Sequence, residues 1–394
     1  MNKKISIIII ILASLLIASI SLKGNISQNT VLEINPSRNR INSLGSEMPF
    51  GLTLSPGFHI GLFATGVKNP RDLQFTPNGT LLVSSPATNS VYALPDQNHD
   101  GKADSSKRII SDENHPHGLA FYNNYLFIAL VDKVVRYKWD ENSLSAVRDK
   151  VLFTLPQNSD HNSRTIVFNE KGEMFVSVGS TCNVCREVDP LSATVIISDQ
   201  DGNNPHRYAS GLRNAAFLSI NPKNDELWST EMGRDNLGDY IPPDEINIIK
   251  NGSDYGWPYC FGNKVHDNQF DPRNLNNCER TSAPIYEFPA HSAPLGLTFI
   301  DSKQFPSDWQ GDLLVALHGS WNRSMPIGYK IVHLKIDGEN ITNSSDFVEG
   351  FLPPGSEIGP VSALGRPVDL AFDKNGNLYI SDDKAGNVYI LSKK

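Results

Sequence analysis

A short apolar strand ending in Phe, a polar turn and an alternating return strand occur together six times along the chain. The copies begin "PRDLQF" at Pro70, "PHGLAF" at Pro116, "SRTIVF" at Ser163, "LRNAAF" at Leu212, "PLGLTF" at Pro294 and "RPVDLAF" at Arg366. Strand, tight turn and strand is the signature of a hairpin. The phenylalanines are Phe75, Phe121, Phe168, Phe217, Phe299 and Phe372, spaced 46, 47 and 49 residues apart at first. The last two intervals, 82 and 73, leave room for loop insertions. A period of roughly 40–50 residues with several strands per unit predicts a propeller. The fold class is therefore all-β, a six-bladed β-propeller with four-stranded antiparallel blades. "FHIGLFATG" from Phe58 has no repeat of its own and is expected to complete the last blade and close the ring. The alternative, a β-sandwich, shows turn signals at roughly 8–12-residue spacing without a longer period.

The repeats assign residues 51–394 to one propeller domain. Ahead of it, Asn2-Lys3-Lys4 precedes an apolar run of 18 residues, Ile5 to Leu22, that contains four serines. A charged start and such a run predict a signal peptide or an N-terminal membrane anchor over 1–22. Residues 23–50, rich in Ser and Asn, read as a flexible tether. An exported protein is expected, extracellular or periplasmic, with attachment to the outer face of the membrane if the segment is retained. The formal charge of -8 argues against a nucleic-acid binder, which carries a basic face. The four cysteines, Cys182, Cys185, Cys260 and Cys278, suggest disulfides in an exported chain. Three pairings are possible, and the local one, Cys182 with Cys185 and Cys260 with Cys278, is preferred. A zinc knuckle needs a second close pair, and Cys260 and Cys278 lie 18 positions apart.

Aligned on the Phe, the position four residues earlier holds Arg71, His117, Arg164, Arg213, Leu295 and Val368, and Arg366 stands two before the last. The innermost strands of a propeller surround one channel, so these positions converge on one mouth. Cations gathered there imply an anionic ligand, because like charges repel and Arg matches carboxylates in a two-pronged fashion. The competing reading pairs each Arg with a nearby acid such as Asp72 or Asp369. His161 lies three residues before Arg164 in "DHNSRTIVF", with Asp160 beside it to orient it, and is a candidate base. His115, His117, His291 and His318 compete for that role. "DQNHDGKAD" places Asp96, Asn98, Asp100 and Asp104 around Gly101 as in the start of a calcium loop, but Lys107 stands at the twelfth position. A long acidic loop, "EMGRDNLGDYIPPDEIN" from Glu231, offers Asp235, Asp239, Asp244 and Glu245 to a hard cation.

The motifs "HNSRTIVF", "VGSTCNVC", "YASGLRNAAF", "DEINIIKNGSDYGWPYC", "HSAPLGLTF" and "HGSWNR" resemble the soluble quinoprotein glucose/sorbosone dehydrogenases, more closely the sorbosone-type branch. The resemblance implies pyrroloquinoline quinone (PQQ) and calcium at the channel mouth and oxidation of an aldose or sugar-derived aldehyde by hydride transfer. It assigns His161 as general base and Arg213 as the cation beside the quinone. It places Asn214, Arg323 and Arg366 around the cofactor, which Arg164, in register at the mouth, is also expected to bind, and the backbone carbonyls of Gly233 and Arg234 on calcium. The glucose-oxidising branch has Pro where this chain has Arg234, and a second Arg where it has Val368. Two other functions stand beside this one: a calcium-dependent lactonase or esterase on a similar propeller, and a propeller that only binds. The electron acceptor is not named by any motif.

Overall fold

The computed structural model describes residues 51–157 and 160–394. The segments expected at 1–22 and 23–50 lie outside the described residues, and no described helix is long and apolar enough to cross a membrane. Six antiparallel sheets form the blades, built from strands consecutive in sequence except that blade 4 skips a two-stranded insertion, blade 5 takes on one N-terminal strand and blade 6 is closed by another. Blade 1 runs from Leu73–Phe75 to Lys107–Ile110, blade 2 from Gly118–Tyr122 to Ser145–Thr154, and blade 3 from Ile166–Phe168 to His206–Ser210. Blade 4 runs from Phe217–Ile220 to Tyr286–Phe288, and blade 5 from Pro294–Phe299 to Asn340–Glu349. Blade 6 contains Pro367–Phe372, Leu378–Asp382 and Asn387–Lys393, and takes its fourth strand from Phe58–Thr65. That closing strand pairs from Phe58 with Lys393 to Thr65 with Asn387, as the sequence predicts. Blade 5 differs from the expectation by a fifth, two-residue strand, Thr53–Leu54, on its outer edge.

Burial follows strand position. The second strands of blades 1, 4, 5 and 6 are buried at every residue, whereas the outermost strand of blade 2 is largely open to solvent. Among the described residues the apolar core divides into six clusters, each filling the seam between two neighbouring blades. The recurring Phe has its reason there. Phe75 meets Tyr379 of blade 6 at 5.0 Å, Phe168 stacks on Tyr122 of blade 2 at 4.6 Å, and Phe299 meets Trp228 of blade 4 at 5.3 Å. Each ring is wedged against the preceding blade, where edge-to-face and stacked contacts add to the burial of a large apolar surface. The inner strands enclose a channel with a cavity of about 360 Å³.

Direction alternates along four antiparallel strands. The links between blades and the links from second to third strands therefore emerge on one face, and the remaining turns on the other. The insertion of blade 4 between Asp244–Ile249 and Tyr286–Phe288 is the exception. It climbs the edge of blade 3, with Tyr255 N donating to Ser210 O at 2.9 Å and Trp257 N to Gly211 O at 3.0 Å. The two disulfides, Cys182–Cys185 and Cys260–Cys278, follow the preferred pairing.

Candidate functional site

The link from blade 2 to blade 3 carries His161 to the mouth. Its Nδ1 lies 2.8 Å from Ser180 Oγ and 3.1 Å from Ser180 O. Ser180 Oγ donates its one hydrogen to Cys182 O at 2.7 Å, so toward the imidazole it acts only as an acceptor. Both contacts therefore place the proton on Nδ1 and leave the lone pair on Nε2, which has no partner among the described residues. Burial, then the Arg213 charge, holds the His161 pKa down at about 4, so the ring is neutral near pH 7. His117, His291 and His318 are spent elsewhere. Nε2 of His117 faces Arg71 at 3.5 Å, that of His291 faces Gly238 O at 2.8 Å, and that of His318 faces Asp383 at 2.9 Å. Gly179 packs under His161, where a Cβ would come within 2.5 Å of the His161 Cβ and 3.3 Å of Asn214 Oδ1.

Arg213 is buried beside this histidine. Its five N–H groups meet Asn183 O at 2.9 Å, Met232 O at 3.3 Å, Gly233 O at 3.0 Å, Asn183 Oδ1 at 2.9 Å and Asp235 Oδ2 at 3.1 Å. It brings a positive charge to the site more than a spare donor. Asn214 follows it, with its amide nitrogen 3.6 Å from the Met232 sulfur and its backbone N–H on Glu231 Oε1 at 3.0 Å. The other oxygen of Glu231 is buried without a partner, and burial, then Glu245, raises this carboxyl well above its usual range.

The remaining predicted cations separate into two kinds. Arg366 donates to His318 O at 3.1 Å and Gly319 O at 2.6 Å, and Arg323 to Ala290 O at 2.9 Å, each leaving donors unspent. Arg164 is fully buried and grips the His161 loop through carbonyls of Pro156, His161 and Ser163 at 2.7–3.1 Å. Arg71 follows the acid-pairing alternative, 2.7 Å from Asp383, a different acid from those expected.

Gly233 sits where a Cβ would press within 2.7 Å of Pro243 O. The charge of Arg234, where the sequence comparison expects proline, is met by a buried Asp267 at 2.5 Å and 3.1 Å and by Gln269 at 2.6 Å. The four acids of this loop do not converge. Asp235 holds Arg213, and Asp239 accepts from Ser324 N at 3.1 Å. Asp244 accepts from Gly233 N at 2.9 Å, and Glu245 from Gly262 N at 2.7 Å. Asp96, Asn98, Asp100 and Asp104 lie in a third-to-fourth-strand link, on the face opposite His161. Asp96 accepts from Gly101 N at 3.1 Å and Asp104 from Gln97 N at 2.7 Å, so both bond their own loop. Among the described residues these acids are not one of the clusters that bring three ligand atoms within 4.8 Å.

Ser180, Asn183 and Asp267 are absent from the sequence-based site. "VGSTCNVC" contains the first two, but its cysteines draw attention from the polar residues between them. Asp267 lies 33 residues from its partner, and no spacing signals the pair.

The chain is 31% identical over 366 residues to an uncharacterized protein of Borreliella burgdorferi, covering 89% of this chain and 93% of that one. It is 25% identical over 421 residues to a pyrroloquinoline quinone-dependent pyranose dehydrogenase of Coprinopsis cinerea, covering 89% of this chain and 56% of that longer relative. The calcium structure of a Trichoderma reesei enzyme of carbohydrate-active family AA12 superposes with a TM-score of 0.75 at 22% identity, over 90% of this chain and 99% of that one, a likeness of fold. Residues 52–394 match the TrAA12-like family, which is the whole ring that carries His161, Arg213 and Arg366, and the chain belongs to that family.

Proposed function

We propose that the protein is a quinoprotein dehydrogenase that oxidises an aldose or a sugar-derived aldehyde with PQQ and calcium. One arrangement carries this reading: a neutral His161 with Nε2 unspent, beside the buried charge of Arg213. The Coprinopsis relative, a PQQ-dependent pyranose dehydrogenase, supports both cofactor and substrate class. The calcium structure of the Trichoderma enzyme supports the metal.

The residues suit the group by their chemistry. A tricarboxylate asks for cations, and Arg366 and Arg323 keep donors for it, while Arg213 supplies charge. The amide of Asn214 meets only a thioether and is available to a better acceptor. The carbonyl of Gly233 spends one lone pair on Arg213 and keeps the other. With the carbonyl of Arg234 it offers the hard oxygens that calcium takes, part of the 6–8 such an ion needs. Arg164 acts in this reading as the clamp of the base's loop. The Asp96–Asp104 loop, on the opposite face, takes no part.

When bound, the quinone supplies a hydride acceptor and calcium the Lewis acid that polarises it. His161 Nε2 takes the proton of the substrate hydroxyl, and its depressed pKa keeps it in the base form at neutral pH. Ser180 holds the ring in the productive tautomer. Arg213 stabilises the negative charge that grows beside it during transfer. A cavity of about 260 Å³ next to His161, lined by Asn69, Arg71, His115, Asp160, Asn162 and Ser163, offers polar groups to sugar hydroxyls. The two disulfides support an exported protein.

The test is reconstitution: PQQ and calcium are added to purified protein, and dye reduction is followed over a panel of aldoses and sugar aldehydes. Oxidation that needs both additions is expected. Hydrolysis of lactones without PQQ, and no dye reduction, would move the assignment to the lactonase.

A further inference from the structure

We propose that Asn183, carried in the ring closed by Cys182 and Cys185, is a positioning residue that aims Arg213. This rests on the dehydrogenase reading for its catalytic consequence, but not for its geometry. Asn183 Oδ1 accepts from Arg213 Nη2 at 2.9 Å and from Asp235 N at 2.8 Å, and Nδ2 donates to Asp235 O at 3.1 Å. Its backbone carbonyl accepts from Arg213 Nε at 2.9 Å and from Trp257 Nε1 at 3.3 Å. One asparagine thus grips the Nε–Nη2 edge of the guanidinium and the backbone of the acid paired with it.

The loop that carries Asn183 has no regular secondary structure. Its base is tied by Thr181, whose N and Oγ1 donate to Glu187 at 2.7 Å and 2.8 Å, and its tip by the disulfide, three residues apart in sequence. Entropic stabilisation by a crosslink grows with the length of the loop it closes, so this one contributes little to global stability. What a ring this small does is hold the Asn183 backbone in one conformation. Arg213 needs that, because its five partners come from four residues on two separate links, and a guanidinium misplaced by about 1 Å costs on the order of 10²-fold in rate.

The experiment compares full-length wild-type protein with Asn183→Ala, Asn183→Asp and the double change Cys182→Ser with Cys185→Ser. The first readout needs no cofactor. Hydrogen exchange at Arg213 Nε–H is followed by ¹⁵N NMR, with the resonance assigned through Arg213→Lys. Exchange should quicken at least about 10-fold in Asn183→Ala and in the serine pair, and Asn183→Asp, which keeps an acceptor for Nη2, should stay near wild type. The second readout is sugar oxidation after addition of PQQ and calcium. Asn183→Ala and the serine pair should lose about 10–10²-fold in kcat with KM for sugar within about twofold, because Arg213 acts on charge that appears only during transfer. Unchanged exchange and kcat within about twofold in Asn183→Ala would overturn the proposal and leave the loop a local staple. If wild-type protein oxidises no sugar, the dehydrogenase reading fails, and the exchange data still decide the role of Asn183.

Discussion

Asp267→Ala is expected to be among the most damaging single changes outside the blade seams. Arg234 and Asp267 are 6% and 3% exposed, and their forked contact leaves neither charge in water. Removing the acid strands a guanidinium in the interior, which costs about 3–5 kcal/mol. Asp267 Oδ1 also accepts from Gln269 N at 3.0 Å and Phe270 N at 2.9 Å, and losing these adds about 1 kcal/mol. Arg234→Ala is the milder change, about 1–3 kcal/mol, because the carboxylate it leaves behind keeps both backbone donors. Combining Asp267→Ala with Arg234→Met removes the stranded charge and should recover at least about 2 kcal/mol over Asp267→Ala alone. Urea unfolding of disulfide-intact protein, followed by tryptophan emission, gives all four values. Calcium titration in the presence of PQQ should weaken in Asp267→Ala, since Arg234 follows Gly233 in the chain. The reasoning fails if Asp267→Ala lies within about 1 kcal/mol of wild type, or if Arg234→Ala proves the costlier single change.

His161→Ala should lower turnover about 10²–10⁴-fold with PQQ retention little altered, measured by cofactor absorbance beside dye reduction. In wild type the base form persists until pH falls to about 4, so kcat/KM should stay level from neutrality to about pH 5 and decline below it. Arg213→Ala removes a charge that opposes protonation, so the His161 pKa should rise toward its free value of 6.5, though not reach it, because burial is the larger cause. An NMR titration of His161 that shows a fall, or no change, would contradict this electrostatic account. Gly179→Ala has an ordinary backbone conformation but no room, and displacement of the His161 loop should cost about 10-fold or more in kcat with little change in the urea midpoint.

The blade count was legible because each repeat must wedge an aromatic ring against its neighbour, and that need recurs at a fixed place in the sequence. That Arg213 lies at one face with His161 and Arg366 nearby was legible for a related reason, since equivalent positions in a ring arrive at one face. What escaped was whatever depends on partners distant in sequence. The register predicted a circle of arginines waiting for an anion, yet Arg71 pairs with Asp383, 312 residues away, and Arg164 turns back into its own loop. Local spacing marked the Asp96 loop as a cation candidate, and only its position in a third-to-fourth-strand link places it opposite His161. The acids near Gly233 share a loop, but Asp235 turns to the Arg213 guanidinium and the other three to separate backbone amides.

Closure of the ring has a consequence for how the protein matures. Blade 6 is complete only when Phe58–Thr65 meets Asn387–Lys393, and the seam beside it carries Leu73 N to Asp369 at 2.8 Å, Ser381 Oγ to Arg71 O at 2.6 Å and the Arg71–Asp383 pair. These contacts join residues about 300 positions apart, so loop-closure entropy makes them late events in folding. The seam between blades 6 and 1 is therefore assembled at the end, from both extremities of the ring at once. A single cut in either closing strand should open this one seam while the other five remain intact.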